Sequence, residues 1–173
     1  MNLILKATKF STLKHKNQKK KDGKTPYIIH PISVAIILVE IGGIDDNEIL
    51  SAALLHDTVE DTDATILEIE KEFGSRVRSI VEELTDNKQL TYSERKQVQV
   101  DHAHNLSKEA TLVKIADKIS NVTDVMNDCP PKWDENKCKE YVEWAEVVIN
   151  NCHKVNTSLE DHFHMLVTSF RLK

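Results

Sequence analysis

Glycine and proline are scarce in this chain, four of each among 173 residues, and runs of alternating β-branched residues are missing. A sheet-rich fold needs turns at short, regular intervals. These scarcities therefore exclude sandwiches and barrels and leave an all-α chain in which Ala, Leu, Glu and Lys recur at helical spacing. Cysteine occurs three times, at positions 129, 138 and 152. An odd count with wide spacing fits neither a disulfide framework nor a paired-thiol zinc site, and it predicts reduced, intracellular thiols. No apolar run approaches the roughly eighteen residues of a membrane span, and the opening Met1-Asn2-Leu3-Ile4-Leu5-Lys6 is too short for a secretion signal. Basic residues number 23 against 28 acidic, and the net charge of −5 argues against a general nucleic-acid binder, whose surface must replace phosphate counterions. These exclusions predict one soluble, cytoplasmic domain spanning residues 1–173, monomeric or homodimeric, with no nucleic-acid or membrane partner.

One further absence is local. No Lys or Arg occurs from Thr25 to Glu70, yet this stretch carries His56, Asp57, Glu60 and Asp61 directly after the apolar run Ala52-Ala53-Leu54-Leu55. On a continuous helix His56 stacks over Glu60 and Asp57 over Asp61, and like charges so placed repel. With no basic neighbour in sequence, a bound divalent metal is the compensation this pattern predicts. Just upstream the sign reverses: Lys14, Lys16, Lys19, Lys20, Lys21 and Lys24 crowd together. Such a run is a solvated helix end on one reading and a seat for a small polyanion on the other.

The periodicity predicts eight to ten helices. Ala7, Phe10 and Leu13 mark the first, which runs into the lysine cluster. Pro31 opens the second, through Glu40, with His30 at its N-terminal edge, and Gly42-Gly43 ends it. Asp46 or Asn47 caps the third, which continues through His56-Asp57 and frays near Asp61. Thr65 with Glu68 forms a capping-box pattern for the fourth, up to Phe73-Gly74. The fifth starts at Ser75 and the sixth covers about 93–104. A seventh, from Ser107, carries the stripe Leu112, Ile115, Ala116, Ile119 and Val122 with Asp117 at its edge. Cys129-Pro130-Pro131 stops it, and two amphipathic helices over about 134–150 and 157–170 close the chain.

Four residues are candidate metal ligands: His30, His56, Asp57 and Asp117. Two imidazoles and two carboxylates make a mixed N/O set with room for water, suited to Mn²⁺, Fe²⁺ or Zn²⁺ rather than a closed structural zinc site. Blander readings compete: a satisfied core histidine for His56, a solvated ion pair with Lys114 or Lys118 for Asp117, and a solvated helix end for Glu60-Asp61. His102 with His104, and His162 with His164, face apart on a helix and are surface histidines. Trp133, Tyr141 and Trp144 are most simply core aromatics, with Tyr141 able to reach a pocket mouth.

The set His30, His56-Asp57 and Asp117 resembles the H…HD…D pattern of HD-domain phosphohydrolases. Further words are more specific: His15, Gln18, Lys21-Asp22-Gly23, Thr25-Pro26-Tyr27, His30-Pro31, Ala52 to Thr62 throughout, Phe73-Gly74, Leu84-Thr85-Asp86, Arg95-Lys96 and Lys114-Ile115-Ala116-Asp117-Lys118 resemble the hydrolase domain of RelA/SpoT proteins, in the stand-alone metazoan form. The resemblance implies an HD-domain helical bundle with a central metal site. It implies hydrolysis of the 3′-pyrophosphate of guanosine 3′,5′-bis(diphosphate) with Mn²⁺ on His30, His56, Asp57 and Asp117, and removal of the 2′-phosphate of NADPH. By the same resemblance Glu60 and Asp61 are the catalytic carboxylates. Lys20 and Lys21 neutralise substrate phosphates, Thr25 and Tyr27 line the base and ribose side, and Asn121 stands near the sugar. Lys88, Arg95 and Lys96 add charge or serve only solubility. Lys19 and Lys20 stand where arginines are usual, and Ile29 where Asn normally precedes the metal His. Those departures motivate an alternative, a catalytically weakened nucleotide-binding sensor or interaction module of the same fold.

Overall fold

The computed structural model describes residues 2–172; Met1 and Lys173, which the predicted 1–173 domain includes, lie outside the described residues. Among the described residues there are ten α-helices and no named strand, only an isolated antiparallel bridge between Lys19 and Pro26. Helix α1 (Leu3–Lys14) is capped by the Asn2 side chain, and α2 (Ile29–Glu40) carries Pro31 in its first turn, where a missing N–H costs nothing. Helix α3 (Asn47–Leu55) is capped by Asp46, α4 spans Thr58–Asp61, and α5 (Ile66–Phe73) is capped by Thr65. Gly74, at φ 91°, turns the chain sharply into α6 (Ser75–Leu84). Helix α7 (Tyr92–His102) starts from a full capping box of Thr91 and Glu94, slightly before the predicted start, and a 3-10 turn follows at Ala103–Asn105. Helices α8 (Lys108–Asn127), α9 (Glu135–Asn151) and α10 (Thr157–Arg171) complete the bundle.

Two helices organise the interior. Every residue of α3 from Ile49 to Leu55 is buried, and α8 is buried along almost its whole length, including Lys114, Asp117, Lys118 and Ser120. A helix buried on all sides has no solvated face to which its polar residues can turn. Helix α3 packs against α1, α2, α6 and α8, while α8 packs against α2, α3, α6, α9 and α10. Polar residues at the end of α3 and in the middle of α8 therefore point at one another.

The predicted continuous helix through His56 and Asp57 is corrected. Helix α3 ends at Leu55, a two-residue turn follows, and α4 is a separate four-residue helix. Asp57 sits at φ −98°, ψ −4°, the sparsely populated bridge region. Thr58 supplies the local reason: its hydroxyl donates to the Leu55 carbonyl at 2.6 Å, a side-chain bond that competes with the backbone ladder. His56 and Glu60 consequently fall in separate elements, whereas Asp57, as N-cap of α4, still closes a helical turn with Asp61, whose N–H donates to the Asp57 carbonyl at 2.9 Å.

The thiol expectation is also corrected. Cys129, just past α8, is bonded to Cys138 in α9, because the two helix ends bring their Cα atoms to 6.4 Å, within disulfide reach. Only Cys152 is a free thiol, and it is buried. No helix of the described residues is long and apolar enough to cross a membrane.

Gly42, between α2 and α3, is a tight spot. A Cβ there would stand 2.8 Å from the Leu38 carbonyl and 3.1 Å from Leu159 of α10, whose neighbour Asn156 donates to the Gly42 carbonyl. Gly42→Ala is expected to cost about 1–3 kcal/mol in chemical denaturation by overpacking, with helix content unchanged. A cost indistinguishable from zero would show that α10 can move aside.

Candidate metal centre

His30 enters from the first turn of α2, His56 and Asp57 from the turn after α3, and Asp117 from the middle of α8. His30 Nε2 lies 3.1 Å from Asp117 Oδ1 and 3.6 Å from Asp57 Oδ2, and His56 Nε2 lies 3.0 Å from Asp57 Oδ2 and 3.8 Å from Asp117 Oδ1. Ligand atoms of His30, His56 and Asp117, all three buried, fall within 4.8 Å of one another and form a group that can hold a metal ion. Asp57, partly buried, faces both imidazoles.

The opposite ring nitrogens are anchored. His56 Nδ1 is 2.7 Å from the Ala53 carbonyl, which only accepts, so the proton belongs on Nδ1 and the Nε2 lone pair points inward. His30 Nδ1 contacts the Ser120 hydroxyl at 3.2 Å. Such bonds on the far nitrogen orient a metal-binding imidazole. His56 Nε2 is close to Asp57 but not aligned for a hydrogen bond with it, and it has no other partner. A buried polar atom without a partner calls for a missing ligand, and this mixed N/O donor set fits a divalent cation.

The charges agree. Burial works to raise the Asp117 carboxyl, but Lys118 and the two imidazoles override it and hold Asp117 well below the ordinary range. Burial likewise opposes a charged His56, but Asp57 and Asp117 win and raise its pKa well above the usual value. The two carboxylates thus make this pocket a seat for positive charge. Asp57 is kept low by His56 and His30 against its burial, and the Tyr27 hydroxyl donates to its Oδ2 at 2.5 Å. Asn121 Nδ2 donates to Asp117 Oδ1 at 2.6 Å and Lys118 Nζ to Oδ2 at 3.0 Å. The solvated ion-pair reading of Asp117 is thus half met: the partner is Lys118, but both groups are buried. Lys114 is buried too and reaches toward Gln99 Oε1 at 3.5 Å.

Glu60 and Asp61 follow one turn later and diverge. Glu60 accepts from the Asp86 backbone N–H at 3.1 Å, and burial, reinforced by the Asp86, Asp57 and Asp61 carboxylates, pushes its carboxyl up to about 7. Asp61 accepts from Lys88 at 2.8 Å and from Gln18 at 3.1 Å, and Gln18 is held in turn by His15 at 2.6 Å. Lys88 is the positive charge that no neighbour in sequence offers.

A cavity of about 340 Å³ opens over His30, His56, Asp57, Glu60, Asp61 and Asp117, and a second of about 200 Å³ continues it past Lys20, Tyr27, Asn121 and Pro130. Lys20 forms an ion pair with Asp124. Lys21 places its ammonium 4.6 Å from the Trp133 ring and 5.2 Å from that of Tyr141, and burial lowers its pKa. Thr25 is the exception among the predicted residues: its hydroxyl donates to Asp22 at 2.5 Å inside the 22–25 turn, and it lines neither cavity. The Asp22 carboxylate, which also accepts from the Lys24 and Thr25 backbone N–H groups, captures it locally.

The rest of the wall holds Arg95 and Lys96, expected as added charge, and Tyr141, expected at a pocket mouth; the part played by the tryptophans was not expected. Lys96 Nζ lies 4.4 Å from the Trp144 ring and Lys118 Nζ 4.6 Å, while Tyr141 lies between Trp133 and Trp144 at 5.3 and 5.4 Å. The two tryptophans pack half-buried against the edge of the core and also carry cavity lysines on their rings; Tyr141 is buried and lines both cavities. Burial and the like charges of Lys118 and Lys21 bring Lys96 down to about 8. A cation site, a carboxylate titrating near neutrality and a ring of ammonium groups together suit the hydrolysis of a phosphate ester in a small polyanion.

The family profile described as HD domain matches residues 7–142. A Xenopus tropicalis protein named guanosine-3′,5′-bis(diphosphate) 3′-pyrophosphohydrolase MESH1 is 50% identical over 94% of this chain and 93% of its own length. The Homo sapiens protein of the same name is 48% identical over 91% of this chain and 89% of its own. A solved structure, described as a metazoan ortholog of SpoT that hydrolyses ppGpp and plays a role in starvation responses, superposes with a TM-score of 0.96 at 37% identity, covering 100% of this chain and 98% of that one.

The raised carboxyl of Glu60 has a stability consequence in metal-free protein. Its folded pKa of about 7 exceeds the ordinary 4.5, so its contribution is fully present below about 4.5 and is lost as pH rises through 7. Glu60→Gln should therefore raise Tm relative to wild type at pH 8 in chelator and show a smaller gain at pH 5. A difference that stays flat between those two pH values contradicts a buried, raised carboxyl.

Proposed function

We propose a function for a chain that belongs to the HD-domain family, in its branch of metazoan SpoT homologues: hydrolysis of guanosine 3′,5′-bis(diphosphate) at its 3′-pyrophosphate, giving GDP and pyrophosphate. One observation carries it. His30, His56, Asp57 and Asp117 converge beside Glu60 on the floor of a cavity whose walls hold Lys21, Lys96 and Lys118. We take residues 1–173 as one catalytic domain, acting in the cytoplasm as a monomer or homodimer on a small nucleotide, without nucleic-acid or membrane partners.

His30, His56, Asp57 and Asp117 would hold the cation; their mixed N/O donors suit Mn²⁺, Fe²⁺ or Zn²⁺, and we assign Mn²⁺ by the likeness to RelA/SpoT hydrolases. When bound it supplies Lewis acidity toward the phosphate and a lowered pKa for water. The protein does the remaining work. Glu60, with a carboxyl near neutrality, accepts a proton from the attacking water. Asp61, tied by Lys88 and Gln18, is a fixed carboxylate that orients the water, and the proton taken up by Glu60 is then delivered from Glu60 to the leaving oxygen. Tyr27 and Asn121 hold Asp57 and Asp117 in place through direct hydrogen bonds. Lys21, Lys96 and Lys118 offset substrate charge, and Lys20 exchanges Asp124 for phosphate on binding.

The same site is assigned the 2′-phosphate of NADPH as a second substrate, since both molecules carry phosphate on a ribose. The departures from the family bear on affinity more than on chemistry: Ile29 is 44% exposed, outside the donor set, and Lys20 keeps a positive charge at the cavity wall.

Purified protein with Mn²⁺ should release pyrophosphate from guanosine 3′,5′-bis(diphosphate) and orthophosphate from NADPH. Tight binding with neither product is the signature of the sensor alternative. Asp117→Ala is expected to lose both metal and turnover, whereas Glu60→Ala should keep the metal and slow turnover by roughly 10²–10⁴-fold, the usual worth of a general base. Equal metal loss in the two variants contradicts this division of roles.

A further inference from the structure

The single disulfide among the described residues ties the edge of the core to the loop that borders the smaller cavity: Cys138 is in the core, Cys129 packs against it, and Asp128 and Pro130 on either side of Cys129 line the cavity. Cys129 leaves α8, Cys138 lies in the first turns of α9, and their bond closes the intervening loop. Pro130 of that loop lines the smaller cavity, and its carbonyl accepts from the Trp133 N–H at 2.8 Å, so Trp133 is placed by the turn. The Trp133 ring then backs the Lys21 ammonium at 4.6 Å and meets Tyr141 at 5.3 Å. Cys138 is 3% exposed and one helical turn before Tyr141, on the same face of α9, whereas Cys129 is half-exposed. Cys129 is thus the more accessible of the two cysteines, and Cys138 is anchored in the core. Cys152, buried 14 residues beyond Cys138 with its thiol raised by burial, takes no part.

We propose that Cys129–Cys138 is a redox modification site that sets how firmly the Trp133 loop holds the nucleotide cavity, an inference that rests on the hydrolase reading above. In the opening reaction a thiolate of a dithiol reductant attacks Cys129 Sγ. The S–S bond breaks, and Cys138 leaves with the electron pair and takes a proton. The reductant's second thiol then displaces Cys129 and departs as its own disulfide. Closing runs the other way and takes glutathione disulfide or another low-molecular-weight disulfide as oxidant. Freed of the cross-link, the loop regains conformational entropy that substrate binding must again remove, so KM rises. No metal ligand lies in the loop, nor does Glu60, so kcat holds.

The test uses the full chain with Mn²⁺, in protein oxidised by glutathione disulfide and in protein reduced and desalted. Thiol titration in denaturant should count one free thiol in the oxidised form and three in the reduced form. KM for guanosine 3′,5′-bis(diphosphate) should rise about five-fold on reduction with kcat unchanged, the scale of losing loop preorganisation. Cys129→Ser should behave as the reduced form under both conditions. Amide exchange over 129–141 should quicken on reduction while 108–120 stays protected, a readout that needs no turnover. Three free thiols after oxidation, or equal exchange and equal KM in the two states, overturns the proposal. Absence of turnover in both states refutes the hydrolase reading instead, and the exchange comparison still decides the switch.

Discussion

The structure depends on the burial of two helices on every side. Helix α3 ends, and α8 passes, through the middle of the bundle, so the polar residues they carry cannot reach water and must satisfy one another. His56, Asp57 and Asp117 are brought together by that constraint, and His30 joins them from the first turn of α2. Burying so many titratable groups is tolerable only when each has a partner, and nearly all do. The inward nitrogen of His56 is left over, which is where a cation belongs.

Charge compensation in the site is graded from inside to outside. Asp117, deepest, is shared between imidazoles, Lys118 and Asn121; Asp57 is shared between imidazoles and Tyr27; Glu60 has only a backbone N–H; Asp61 has Lys88 near solvent. The least compensated of them, Glu60, is the one whose carboxyl is lifted toward neutrality. Proton transfer is most useful from a group that titrates near the working pH, so the weakness of its partners and its assigned role have a common origin.

On the opposite wall, ammonium groups lie against aromatic rings rather than against carboxylates. Lys21 and Lys96 rest on Trp133, Tyr141 and Trp144, contacts that favour the cation without neutralising it. Positive charge therefore remains available to a polyanion, while the rings give the cavity a rigid lining. Lys20 differs, because Asp124 occupies it and phosphate must compete for it. The covalent tie between Cys129 and Cys138 lies behind this wall, beside Asp128 and Pro130, and away from the metal floor.

The sequence by itself determined the all-α class, a cap at Asp46 or Asn47 and the cap at Thr65, because capping and periodicity act over a few neighbours along the chain, and its resemblance to a known family singled out His30, His56, Asp57 and Asp117. It misjudged the continuity of α3 because a single hydroxyl, that of Thr58, outcompetes the helix at its end. It placed Thr25 in the pocket where Asp22 holds it in a turn, and it predicted free thiols where two helix ends meet. Lys88 on Asp61 and the tryptophans behind the lysines belonged to tertiary structure alone. Such pairs are set by how helices pack across the core, and the distance that decides them is measured through space between residues far apart in the chain.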